Sequence, residues 1–140
     1  VTEPDRPPKP GILDTSAVIR LSQFEDVSQL PDEPVITAVT LAELSVGPLV
    51  AGNETERAAR QALLQQAEAD FEPLPFDAAA ARAFGRVAAS LRRSGRKKTA
   101  RSYDAMIAAI ALANALPVYT CNPDDFAGID GLTVIPVRSA

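Results

Sequence analysis

The chain has no histidine and a single cysteine, Cys121, in 140 residues. The first absence removes Ser-His-Asp and Cys-His catalysis and every metal site that needs imidazole. The second removes thiolate zinc clusters and any internal disulfide. Cys121, beside an apolar stretch, reads as a small core residue. A catalytic metal here must be held by oxygen, which favours Mg²⁺ or Mn²⁺ over zinc, copper or iron. No apolar run approaches the roughly 18 residues needed to span a bilayer. The first residues lack the charged, apolar and small-residue succession of a signal peptide. A cytoplasmic location is expected. Internal repeats are also missing, and low complexity is confined to the first ten residues.

What is present is the balance of one globular domain, 46% apolar and 23% charged. Net charge is −4, which alone argues against a polyanion as partner. The charges are unevenly spread, however. From Ala78 to Tyr103 there are eight basic residues and no acid, leaving six basic against eighteen acidic residues elsewhere. Such asymmetry places a positive face on an otherwise acidic protein.

Residues 1–10, with four prolines and four charges, read as a flexible tail. The domain is expected over 11–138. Gly11 to Leu13 reads as a strand ending at Asp14, followed by a helix start at Thr15. Pro34 to Val39 reads as a second strand. Thr40 and Glu43 match a capping box for the helix behind it, with Gly47-Pro48 as its break. A helix from Asn53 or Thr55 to about Phe71 follows. The stretch 71–76 is at most a short edge strand, because of its prolines. Asp77 caps a helix over 78–91, and 92–98 is a basic loop. Ser102 caps a helix from Tyr103 to Asn114 that is apolar nearly all round, hence buried. Pro117 to Thr120 and Leu132 to Val137 are the last strands. Alternating strands and helices give an α/β domain with a mainly parallel sheet.

Four acids stand out in that pattern. Asp14 follows strand one, Glu43 strand two and Asp125 the Pro117–Thr120 strand, while Asp104 sits at the second position of the buried helix. Each singly has a structural explanation as a cap, a dipole partner or a turn residue. Together they map to the edge where strands end and helices begin, where open α/β sheets bind ligands. Converging carboxylates repel one another, and a divalent cation relieves the repulsion.

The stretches Leu13-Asp14-Thr15-Ser16, Thr40 to Gly47, Tyr103 to Ala109 and Thr120 to Phe126 carry a resemblance. At these residues the chain is similar to the PIN-domain family, and within it to the VapC-type toxins of bacterial type II toxin–antitoxin pairs. The resemblance spans Gly11 to Val137. It implies a three-layer α/β/α sandwich and a Mg²⁺- or Mn²⁺-dependent endoribonuclease. Asp14, Glu43, Asp104 and Asp125 match the family's catalytic, metal-holding acids. Ser16, Thr120 and Asn122 match its supporting polar positions. Asp124, one residue before Asp125, fits the pattern less well. The family also implies a homodimer and a VapB-like antitoxin that blocks the cleft, in a heterotetramer or larger assembly.

Arg92, Arg93, Arg96, Lys97, Lys98 and Arg101 precede Asp104 and are expected to flank the cleft and grip RNA phosphates. Two other readings stand beside the nuclease. An aspartate-dependent phosphatase needs a second acid two residues after its nucleophile, where this chain has Ser16. A degenerate domain serving only as a binding module would have lost part of the carboxylate set, which is complete here.

Overall fold

Ile12 and Leu13 are consecutive and both fully buried, yet they belong to different cores. Successive side chains of a strand point to opposite faces of its sheet, so a strand apolar at both positions must be covered on both sides. The computed structural model describes residues 7–95 and 102–139. Its strands are β1 (Pro10–Leu13), β2 (Glu33–Val35), β3 (Val118–Thr120) and β4 (Val134–Pro136). Its helices are α1 (Thr15–Ile19), α2 (Ala38–Val46), α3 (Glu54–Asp70), α4 (Ala78–Arg93) and α5 (Ser102–Asn114). The sheet order is β2-β1-β3-β4, and every pairing is parallel.

One face of the sheet is covered by α4 and α5. Ala80, Ala83, Val87 and Leu91 form a buried stripe along α4 at helical spacing. It meets α5, where Ile107 to Ala111 are fully buried without interruption. Alanines at Ala108, Ala109 and Ala111 let the two helices and the sheet approach closely. The other face is covered by Ala17 and Val18 of α1, Leu44 of α2 and Ala67 of α3, with Phe24 and Val137 completing that core. The three-layer α/β/α arrangement follows. Among the described residues, no helix is long and apolar enough to cross a membrane.

Several expectations change. Among the described residues the sheet has four strands rather than five, and the expected parallel pairing holds throughout. The proline-rich stretch at 71–76 contributes only one bridge, Leu74 to Thr37. The second strand ends at Val35, and Thr37 rather than Thr40 caps α2, its side chain accepting from Thr40 N. Glu43 therefore lies inside α2 and closes no capping box. Ser102 is the first residue of α5 and Asp104 its third. Lys9 and Pro10, expected in the tail, join the sheet: Glu33 N donates to Lys9 O, and Pro10 pairs with Glu33. Residues 1–6 lie outside the described residues.

Candidate acidic active site

The chain leaves β1 toward β2 on one side and reaches β3 on the other. The C-terminal ends of β1 and β3 thus form the switch point of the sheet, where α/β folds open a crevice. Asp14 terminates β1 and Thr120 terminates β3. Asp14 is 3% exposed and caps α1, its Oδ1 accepting from Ala17 N at 2.9 Å. Ser16 Oγ donates to the same oxygen at 2.7 Å, and Thr120 Oγ1 donates to Oδ2 at 2.6 Å. Both hydroxyls are fixed in turn by the backbone after β3. Cys121 N donates to Ser16 Oγ at 3.1 Å, and Asn122 N donates to Thr120 Oγ1 at 2.9 Å.

Glu43 enters from α2. Its Oε1 accepts from Thr15 Oγ1 at 2.6 Å, and Thr15 Oγ1 contacts Thr40 Oγ1 at 2.9 Å. Residues 14 and 15 thus hold one acid and bind the next. Asp125 lies in the 3-10 turn Pro123–Phe126, half-buried, with Phe126 anchored in the core beneath it. Asp124 beside it is exposed.

The electrostatics tie three of these acids together. Burial pushes the Asp14 carboxyl above its ordinary value, against the lowering effect of its three donors, and the negative charge of Asp125 pushes the same way. Burial also raises Glu43, opposed by the Thr15 hydroxyl and reinforced by the charge of Asp14. The charge of Asp125 thus bears on Asp14, and that of Asp14 on Glu43. Asp104 is half-buried in the first turn of α5. That helix packs against α2 and against the 123–126 turn, and it runs into β3 from the same edge.

Of the supporting positions, Ser16 and Thr120 touch Asp14 directly. Asn122 takes part through its backbone N–H, and its exposed side chain makes no capping bond. Thr15 and Thr40, read from the sequence only as a helix start and a cap, belong to the site, and Thr15 follows Asp14 immediately. The available signal was the run of hydroxyl residues at 15, 16, 37 and 40 around two acids. Arg92 is exposed in the last turn of α4. Arg93 Nη2 forms an exposed ion pair with Asp130 at 2.5 Å. Arg96, Lys97, Lys98 and Arg101 lie outside the described residues. Among the described residues, no three acid or cysteine side chains close into a ready-made metal cage.

An all-parallel three-layer sheet with a buried, acid-flanked aspartate at its switch point matches one domain class throughout. The family model of the PIN domain covers residues 12–132, and the chain belongs to the PIN-domain family. It is 42% identical over 132 residues to ribonuclease VapC5 of Mycobacterium tuberculosis, across 93% of this chain and 95% of that one. It is 31% identical over 101 residues to ribonuclease VapC8 of the same species, across 72% and 89%. Among solved structures it resembles VapBC-5 of Mycobacterium tuberculosis, a member of the VapBC family of toxin–antitoxin systems. That match has a TM-score of 0.81 at 45% identity, over 93% of this chain and 100% of the other. DNA-bound VapBC from Salmonella typhimurium matches with a TM-score of 0.73 at 25% identity, over 91% and 97%.

Proposed function

We propose that this protein is the toxin of a type II toxin–antitoxin pair and acts as a metal-dependent endoribonuclease. The observation that carries the reading is the buried Asp14, held by three donors at the switch point and linked by charge to two further acids. Its similarity to ribonucleases VapC5 and VapC8 supports RNA as the substrate. A single domain from β1 to about residue 138 carries the activity.

The donor set fits a hard divalent cation, Mg²⁺ or Mn²⁺, because every side-chain donor at the edge is oxygen. Such ions keep several waters and take only one or two carboxylates, so a closed protein cage is not required. Asp14, Glu43, Asp104 and Asp125 would hold the ion directly or through its waters. When bound, it would neutralise the scissile phosphate and make a water more acidic. Ser16 and Thr120 keep Asp14 in one rotamer and stabilise its charged form. With no histidine, a carboxylate of this cluster is the side chain available to take the proton of the attacking water. Arg92 and the basic residues beyond it supply the positive field that brings a polyanion to an acidic cleft.

The partner proposed is a small VapB-like antitoxin that occupies the cleft, with the toxin as a cytoplasmic homodimer inside a larger complex. The VapBC toxin–antitoxin structures that this chain resembles support an antitoxin as the partner. The test is cleavage of total bacterial RNA by antitoxin-free protein, with Mg²⁺, Mn²⁺ or EDTA. Discrete metal-dependent fragments, lost in Asp14→Asn and Asp104→Asn, are expected. Equal cleavage by native and variant proteins would overturn the reading.

A further inference from the structure

The carboxylate of Glu43 has one oxygen committed within the protein. Oε1 accepts from Thr15 Oγ1 at 2.6 Å, while Oε2 takes no hydrogen bond among the described residues. A threonine hydroxyl carries one proton. That of Thr15 is spent on Glu43, so the 2.9 Å contact with Thr40 has Thr40 as donor. Thr40 is fully buried and lies three residues before Glu43, on the same face of α2. Both threonines are β-branched and stiff about χ1. The bonds therefore run one way, from Thr40 to Thr15 to Glu43, each polarising the next. The chain also crosses elements: Thr15 opens α1, directly after Asp14, while Thr40 and Glu43 belong to α2.

We infer that Thr15, backed by Thr40, is a positioning residue for the metal-dependent reaction. It pins Oε1 of Glu43 and leaves Oε2 alone to serve the ion or its water. The inference rests on the proposed nuclease reading, in which Glu43 faces the metal, and adds a residue that acts on the metal through Glu43. Groups that orient a metal-holding side chain typically change metal affinity by about 10- to 100-fold when removed. Thr15→Val keeps the shape and removes the hydroxyl. Thr15→Ser keeps the hydroxyl and removes a methyl.

The experiment uses antitoxin-free protein and two readouts. Mn²⁺ alone is titrated calorimetrically, and cleavage of a single-stranded RNA is followed across Mg²⁺ concentrations. Thr15→Val is expected to weaken Mn²⁺ binding by about 10- to 100-fold and to raise the Mg²⁺ needed for half-maximal cleavage. Thr15→Ser is expected to restore both. In a Glu43→Gln background Thr15→Val should add no further loss, because its effect passes through that carboxylate. If Thr15→Val does not fold, Thr15→Ala takes its place in the same comparison. Native Mn²⁺ affinity in folded Thr15→Val, or a full extra loss in the Glu43→Gln background, would overturn the inference. Impaired Glu43→Gln beside an unaffected Thr15→Val sinks this inference only. Native behaviour of Glu43→Gln removes Glu43 from the site and overturns this inference, while the nuclease reading stands or falls with Asp14→Asn and Asp104→Asn.

Discussion

Thr120 Oγ1 donates a 2.6 Å hydrogen bond to Asp14 Oδ2, joining the ends of two adjacent parallel strands across 106 positions of sequence. The same hydroxyl accepts from Asn122 N at 2.9 Å. One buried oxygen therefore sets the acid and starts the turn that carries Asp125.

Thr120→Val should be costly on both counts. It removes one donor from Asp14 and leaves the Asn122 N–H without its acceptor. Unfolding in urea should show a loss of about 1–3 kcal/mol, the usual cost of orphaning a buried polar group. RNA cleavage should fall with it. Thr120→Ser keeps the hydroxyl and should retain most of the activity.

The pH dependence of stability should carry a signature of the acidic site. Unfolded, Asp14 and Glu43 ionise near 3.8 and 4.5; folded, both are raised, chiefly by burial. Between ordinary and raised values the folded state holds more protons, so their contribution to stability falls as pH rises through that window. The melting temperature of metal-free protein, relative to Glu43→Gln, should therefore decline with pH above 4.5. Adding Mg²⁺ at neutral pH should reverse the decline, because the folded state alone binds the ion.

Gly11→Ala tests the packing beneath the site. A Cβ at Gly11 would clash with Tyr119 Cε1 and lie 2.9 Å from Pro31 Cβ. Tyr119 belongs to β3, which pairs with β1, so its ring must shift beside the strand pair that presents Asp14 and Thr120. A loss of about 1–3 kcal/mol is expected from such overpacking, read by urea unfolding.

Arg92 and Arg93 should differ as RNA contacts. Arg93 is paired with Asp130, whereas Arg92 is exposed at the end of α4. Measured as binding to catalytically inactive Asp14→Asn protein, Arg92→Ala should lower the slope of log affinity against log salt by about one. Arg93→Ala should change it less.

Much of this architecture was legible in the sequence because its signals are local. The buried α5 announces itself by an apolar surface without a polar face, and Asp77 caps α4 as expected, accepting from Ala80 N at 3.0 Å. The three-layer fold and the family follow from four short motifs. What misled is also local. Thr40 and Glu43 have the spacing of a capping box, but the true cap is Thr37, because the chain turns out of the sheet at Ile36 to bridge with Leu74. That shift places Thr40 on the buried face of α2. The hydroxyl pairing of Thr15 with Glu43 was not legible at all, since it depends on how α1 and α2 pack. Asn122 was expected as a supporting polar position, and its backbone N–H donates to Thr120 Oγ1.

The central place of β1 in the sheet bears on when the site comes into being. Its partner β2 is synthesised soon after it, but β3, on its other flank, comes from the far end of the chain. A ribosome that has delivered Asp14 must add 106 more residues to reach Thr120. At about 5–20 residues per second, that interval is about 5–20 s. During that time the aspartate has no β3 beside it, no second hydroxyl to hold it and no turn bearing Asp125. A chain cut short before β3 lacks Thr120 and the turn that carries Asp125. The cell meets an assembled site only as each molecule is completed, which leaves an inhibitor made alongside the whole of that interval to be ready.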